Sequence, residues 1–247
     1  MSLRIREAPS PNQDERPEGA PVDMLVLHYT GMRTGREAVA RLRDPAARVS
    51  SHYVVEEDGA VWRLVPESRR AWHAGVSHWR GQAALNGRSI GIEVVNPGHE
   101  FGYRPFPALQ MAALCDLCLE ILARHPIAPR DVVAHSDVAP DRKEDPGELF
   151  DWRRLAAAGV GLFVEPARIR GGRFLSRGDR GTPVEALQSL LASYGYAIES
   201  SGAFDASTEA VVRAFQRHFR QARVDGIADT STVETLRALL DRKGSAA

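Results

Sequence analysis

The stretch MLVLHYTG (residues 24–31) sets the fold class, because a short apolar run ends abruptly in polar residues from His28 onward. A short apolar run bounded by turn residues is typical of a buried strand. Two later runs have the same character: SIGIEVV (residues 89–95), closed by Asn-Pro-Gly, and VVAH (residues 132–135). All three are therefore predicted to be strands of one sheet.

Other segments supply the remaining layers. Residues 51–56 and 60–65 flank the turn residues Glu-Asp-Gly and predict a β-hairpin. Residues 107–125 carry apolar side chains at helical spacing and stop at a proline, so they predict a helix. Cys115 and Cys118 fall on its apolar stripe and are interpreted as core residues. Strands alternating with helices predict an α/β domain with a mixed central sheet flanked by helices.

The second half of the chain has a different pattern. Three segments show amphipathic helical spacing and predict a small all-α domain of three helices: residues 184–194, 207–219 and 230–240. We therefore divide the chain into an N-terminal arm (1–22), an α/β domain (23–162), a linker (163–176) and a helical domain (177–247).

Composition excludes several classes of function. The 247 residues include 32 basic and 32 acidic side chains, which cancel. A protein that grips nucleic acid through its phosphates would carry a basic excess, so no nucleic-acid partner is expected. No run of 18 apolar residues exists, so no transmembrane segment is predicted. The polar first 20 residues show no signal peptide, which predicts a cytoplasmic protein, or an envelope protein whose leader was removed.

Candidate chemistry lies at the strand ends. His28 and His135 each close an apolar run, and strand ends in α/β sheets border the crevice where ligands bind. Two imidazoles and a nearby carboxylate can provide the three protein ligands of a catalytic zinc site. The loop after His135 offers four acids, Asp137, Asp141, Glu144 and Asp145, and spacing alone does not select the ligand. Glu93 interrupts an apolar strand, so it is either paired or faces a polar crevice, where a general base would be needed.

Five stretches in order make the chain similar to a known family: LVLHYT, SSHYVVEEDG, AWHAGVSHWRG, LNGRSIGIEVVN and VVAHSDVAPDRKEDPGELFDW. They resemble the zinc-dependent N-acetylmuramoyl-L-alanine amidases of the AmpD/AmiD-like type, which are related to phage amidases and peptidoglycan recognition proteins. The resemblance implies an enzyme with Zn2+ as cofactor. It also implies hydrolysis of the amide between the (anhydro)muramyl lactyl group and L-Ala during peptidoglycan recycling or turnover.

The resemblance also implies roles for single residues. The zinc ligands would be His28, His135 and Asp145, whereas Asp137 would brace the loop. Glu93 would be the catalytic acid/base and Lys143 would face the oxyanion. The substrate-binding residues would be His73, Tyr29 and His52, although His52 could equally be a packed structural residue. Other histidines, including His218, are interpreted as surface or capping residues.

The helical domain resembles a peptidoglycan-binding module through the pattern Gly181-x-x-Val184-x-x-Leu187-Gln188 and the later Phe215-Gln216. The usual Asp-Gly-x-x-Gly segment departs here, because residues 225–229 read Asp-Gly-Ile-Ala-Asp. The implied partners are 1,6-anhydro-muropeptides or peptidoglycan, bound by a monomer.

Two alternatives stay open. One is a non-catalytic peptidoglycan receptor on the same scaffold, which the complete set of candidate ligands disfavours. The other is a zinc peptidase that cuts within the stem peptide, which the missing His-Glu-x-x-His helix disfavours.

Overall fold

The computed structural model describes residues 4–244 and has the predicted mixed α/β architecture followed by three helices. Residues 1–3 of the expected arm and 245–247 of the expected helical domain lie outside the described residues. The strands are β1 (Ile5–Glu7), β2 (Gln13–Glu15), β3 (Met24–Tyr29), β4 (Tyr53–Val55), β5 (Val61–Arg63), β6 (Arg69–Ala71), β7 (His78–Trp79), β8 (Gln82–Ala83), β9 (Ser89–Val94) and β10 (Val132–Ala134). The α-helices are α1 (Gly35–Arg43), α2 (Gly98–Phe101), α3 (Ala108–Arg124), α4 (His135–Val138), α5 (Trp152–Ala157), α6 (Thr182–Tyr194), α7 (Ala206–Phe219) and α8 (Thr230–Gly244).

The main sheet has six strands in the order β1-β5-β4-β9-β3-β10. Strands β4, β9, β3 and β10 run parallel to their neighbours within this group, whereas β5 is antiparallel to β4, as the predicted hairpin requires. The N-terminal arm contributes β1 to this sheet, paired with β5, and its β2 forms a separate two-stranded sheet with β6. The carboxyl ends of β3, β9 and β10 therefore lie side by side.

Alternation along β3 separates two cores. Leu25 and Leu27 point to the face covered by α3, whose Met111, Leu114 and Cys118 are buried against the sheet. Both cysteines are buried and free, as expected for core residues. Met24 and Val26 point to the opposite face, so the side chain of His28 belongs to that second face.

The three-helix region (α6–α8, residues 182–244) packs on the second face of the sheet. Val26 of the sheet shares one buried cluster with Leu187 and Phe215 of the helices. Asp205 caps α7, since its carboxylate accepts from the Thr208 backbone N–H at 2.8 Å. The two parts of the chain are thus joined by a common core, and the division at residues 163–176 stays a prediction. Among the described residues, no helix has the length and apolar character needed to cross a bilayer.

Candidate active site

The strand ends place the predicted residues together. In the β3–β9 pairing His28 lies opposite Glu93, and in the β10–β3 pairing Ala134 lies opposite Leu27. His135 follows Ala134 as the first residue of α4, so it lies beside His28. The loop after α4 returns Asp145 to the same point, where all three side chains are buried.

Three ligand atoms converge there. His28 Nδ1 lies 2.9 Å from His135 Nδ1 and 3.0 Å from Asp145 Oδ2, and His135 Nδ1 lies 2.9 Å from the same oxygen. Tetrahedral ligands at zinc distances of about 2.0–2.1 Å are about 3.3 Å apart. An ion would therefore need the three atoms to separate by only about 0.4 Å.

The surrounding hydrogen bonds fix the tautomer of His28. The Ser89 hydroxyl donates to the Leu85 carbonyl at 2.7 Å, so at 3.1 Å it accepts from His73 Nε2. His73 Nδ1 is then unprotonated and accepts from His28 Nε2 at 3.0 Å. The remaining nitrogen of His28, Nδ1, presents a lone pair toward His135 and Asp145.

The same reasoning applies to His135. Its Nε2 lies 3.2 Å from the Ala74 carbonyl oxygen, which only accepts, so the proton resides on Nε2. Nδ1 of both imidazoles and an ionised carboxylate oxygen thus face one another with no proton to share. Three such lone pairs in contact repel unless a cation lies among them, and outer donors of this kind are typical of metal-bound histidines. The residues present fit a divalent metal ion.

Electrostatics agree with this arrangement. Burial, together with His135, lowers the pKa of His28 to about 4, so His28 stays neutral. Burial alone would raise the pKa of Asp145, but its contacts with His135 and His28 outweigh burial and lower that pKa. A neutral imidazole and an ionised carboxylate are the forms that bind metal.

A cleft of about 480 Å³ opens above these three residues. Glu93, Lys143, Tyr29 and His73 line it. Tyr29 is held by a contact between its hydroxyl and His99 Nδ1 at 3.1 Å. His73 is only 6% exposed, and both of its ring nitrogens are occupied, so it forms the floor of the cleft and orients His28.

Glu93 is poised for proton transfer. Its Oε2 is buried and has no hydrogen-bond partner among the described residues. Burial, reinforced by the negative charge of Asp145, raises the pKa of Glu93 well above its usual value, and Lys143 opposes this shift. A carboxyl group with a raised pKa suits a general acid/base, which must accept a proton and then return it.

The loop that carries Lys143 is pinned at its base. The backbone N–H of Lys143 donates to the Ala139 carbonyl at 3.1 Å. The guanidinium of Arg142 donates to the carbonyls of Ala74 and Val76. The Lys143 side chain is half-buried and lines the cleft.

Two sequence interpretations need correction. His52 is fully buried, accepts from the Gly91 backbone N–H at 3.0 Å and contacts the Arg69 carbonyl at 3.1 Å. It lies outside the cleft lining, so we do not retain it as a substrate contact. His218, interpreted as a surface or capping residue, is 3% exposed and bonds Asp137.

Sequence reasoning also missed supporting residues. Ser89 sets the tautomer of His73, and Gly91 leaves room for its ring, since a Cβ there would lie 2.4 Å from His73 Cγ. The signal for Gly91 was its place two residues before Glu93, on the cleft face of β9.

Models of two known protein families match this chain. The family model of the N-acetylmuramoyl-L-alanine amidases matches residues 18–148, and a peptidoglycan binding domain model matches residues 180–236. The chain therefore belongs to the N-acetylmuramoyl-L-alanine amidase family, and it is a hydrolase of that class.

Individual relatives are similar over most of the chain. N-acetylmuramoyl-L-alanine amidase AmiD of Escherichia coli is 40% identical over 90% of this chain and 84% of the relative. The 1,6-anhydro-N-acetylmuramyl-L-alanine amidase AmpD of Citrobacter freundii is 33% identical over 62% of this chain and 88% of its own length.

Two solved structures match this chain over most of its length. That of E. coli AmiD, in complex with the substrate anhydro-N-acetylmuramic acid-L-Ala-D-γ-Glu-L-Lys, matches with a TM-score of 0.77 and 38% identity, covering 93% of both chains. That of AmpDh3 from Pseudomonas aeruginosa matches with a TM-score of 0.74 and 31% identity, covering 92% of this chain and 95% of the other.

Proposed function

We propose that the protein is a zinc amidase that releases the stem peptide of a muropeptide by cleaving the amide between the muramyl lactyl group and L-Ala. The observation that carries the proposal is the trio of His28, His135 and Asp145. Their metal-facing atoms lie within 3.0 Å of one another at the floor of a cleft. Two imidazole nitrogens and one carboxylate, with room for a fourth ligand, are typical of catalytic zinc.

The residues around His28, His135 and Asp145 have separate roles in the proposed reaction. Zinc held by these three residues would supply a Lewis acid and would lower the pKa of water. Glu93 accepts the proton of the attacking water and returns it to the leaving amine of L-Ala. Lys143 stabilises the negative charge that develops on the carbonyl oxygen, a contribution of about 3 kcal/mol. Tyr29 and His73 line the cleft that would receive the substrate.

The names and ligands of similar proteins support a proposal for the substrate class. The AmpD relatives are named for 1,6-anhydro-N-acetylmuramyl substrates, and the AmiD structure contains an anhydromuramyl tripeptide. We therefore propose anhydro-muropeptides as substrates, within wall recycling or turnover, and peptidoglycan binding by the three-helix region. The cytoplasmic location stays a prediction, which fractionation of cells tests directly.

The test uses the purified full chain. Elemental analysis should find one zinc per chain, and digestion of anhydro-N-acetylmuramic acid-L-Ala-D-γ-Glu-L-Lys should give the free sugar and the intact tripeptide by mass spectrometry. The non-anhydro counterpart reports the sugar preference. The matched control is Glu93→Gln, which should keep zinc and lose turnover. Cleavage inside the peptide would make the protein a peptidase, and binding without zinc or turnover would make it a receptor.

A further inference from the structure

Asp137 is a buried carboxylate that the proposed reaction does not use. It is 1% exposed, and its two oxygens accept three hydrogen bonds: from the Tyr196 hydroxyl at 2.7 Å, from His218 Nδ1 at 2.6 Å and from the Ala134 backbone N–H at 2.8 Å. A buried carboxylate is costly unless it is hydrogen-bonded, so these donors define its position. We call Asp137, Tyr196 and His218 the Asp137 bridge.

Two members of the Asp137 bridge come from the three-helix region, and both are themselves fixed. The His218 ring is stacked between Trp152 and Phe219, each with a centroid distance of 3.7 Å. The Tyr196 ring packs edge-on against Trp79 at 5.1 Å. The donors to Asp137 are therefore rigid groups of a packed interface.

The constraint passes to the metal ligands through very short connections. Asp137 lies on the single turn of α4, two residues after His135, and its carboxylate also holds the backbone of the residue before His135. The Ser136 backbone N–H donates to the Asp145 carbonyl at 3.0 Å. Fixing this turn therefore fixes the backbone of two of the three proposed ligands.

A second contact joins α7 to the same loop. The guanidinium of Arg217 donates to Glu144 at 2.8 Å, and Glu144 lies between Lys143 and Asp145 in the chain. Residues 217 and 218 of α7 thus reach the loop at both of its ends.

We propose that the three-helix region positions the metal site through the Asp137 bridge, so that Tyr196 and His218 act as positioning residues for His135 and Asp145. The inference rests on the proposed zinc site. It also goes beyond wall binding as the purpose of these helices. The match to AmpD of C. freundii covers 88% of that protein but only 62% of this chain, so shorter amidases exist. In this chain, by contrast, residues outside the α/β domain hold the loop that carries the proposed metal ligands.

The experiment compares zinc affinity in full-length variants, measured by competition with a chromophoric chelator well below the unfolding temperature. Tyr196→Phe removes one oxygen and keeps the ring on Trp79, and His218→Phe keeps the stacked ring and removes the donor. The matched control is Tyr194→Phe, because Tyr194 also packs on Trp79, at 5.9 Å, and no hydrogen bond joins it to Asp137 in the described part of the chain.

We expect Tyr196→Phe and His218→Phe to weaken zinc binding about 10-fold, the scale of outer-sphere partners of metal ligands. We also expect kcat to fall at saturating zinc with KM unchanged, and Tyr194→Phe to match the parent. A purely structural role would lower the unfolding temperature and leave the zinc dissociation constant of the folded protein unchanged, which would overturn the inference. Should His218→Phe not fold, Tyr196→Phe decides alone. A parent that binds no zinc would refute the proposed function as well.

Discussion

Replacement of Gly91 by alanine tests how the cleft floor orients His28. An added Cβ would lie 2.4–2.6 Å from three atoms of the His73 ring, whereas ordinary contact begins near 3.4 Å. The ring must therefore move by about 1 Å. Its bonds to His28 and Ser89 are 3.0 and 3.1 Å long, so a shift of that size takes at least one beyond hydrogen-bond distance.

The expected consequence is weaker zinc binding with a folded protein. Loss of an outer partner of a metal-bound histidine costs about 10- to 100-fold in metal affinity, which corresponds to about 1.4–2.7 kcal/mol. Competition with a fluorescent chelator measures the dissociation constant. Urea unfolding of the metal-free protein separates this effect from overpacking, which costs about 1–3 kcal/mol of stability.

The matched control is Gly171→Ala, because no heavy atom lies within 4 Å of a Cβ built at Gly171. This variant should bind zinc as the parent does. A folded Gly91→Ala protein with the parental dissociation constant would refute the role assigned to His73, since the ring would then be free to move without effect on His28.

Three further predictions concern the reaction and the fold. Glu93→Gln should retain one zinc and lose about 10²- to 10⁴-fold in kcat, and parental turnover would remove Glu93 from the acid/base role. Lys143→Met should lower kcat about 10²-fold with zinc affinity unchanged; a change in KM alone would instead make Lys143 a binding residue. Burial raises the pKa of Glu67, but its bonds to Arg124, Tyr53 and His125 outweigh this and lower the pKa to about 2. The folded pKa lies below the unfolded one, so Glu67 contributes up to about 3 kcal/mol above pH 4.5, and this is lost as the pH falls toward 2. The difference in urea midpoint between the parent and Glu67→Gln should therefore shrink between pH 7 and pH 3, and a constant difference would contradict the assignment.

Much of the fold around the candidate site could be predicted from the sequence, because those strands and helices follow from local hydrophobic patterns. The apolar run before His28 predicts β3, and the Ile-Glu-Val run predicts β9. The polar residues in these runs, His28 and Glu93, are therefore expected to face a crevice. The apolar spacing of residues 107–125 fixed α3 and the burial of both cysteines. Family resemblance, and not spacing, singled out Asp145 among the four acids of its loop.

What the sequence did not reveal depends on contacts between distant segments. His218 has the surroundings of a surface helix residue in sequence, and only packing on Trp152 shows why it is buried. His52 lies in a segment predicted to be a strand and immediately precedes β4, yet its ring turns to the backbone of β9. Pairings of this kind are set by the tertiary fold, which no local pattern encodes.

Anomalous scattering from crystals of the zinc-loaded protein, recorded on both sides of the zinc absorption edge, tests the central claim most directly. A single peak should lie about 2.0–2.1 Å from Nδ1 of His28, Nδ1 of His135 and a carboxylate oxygen of Asp145. A peak bound elsewhere, or none at these residues, would contradict the zinc centre and with it the proposed mechanism.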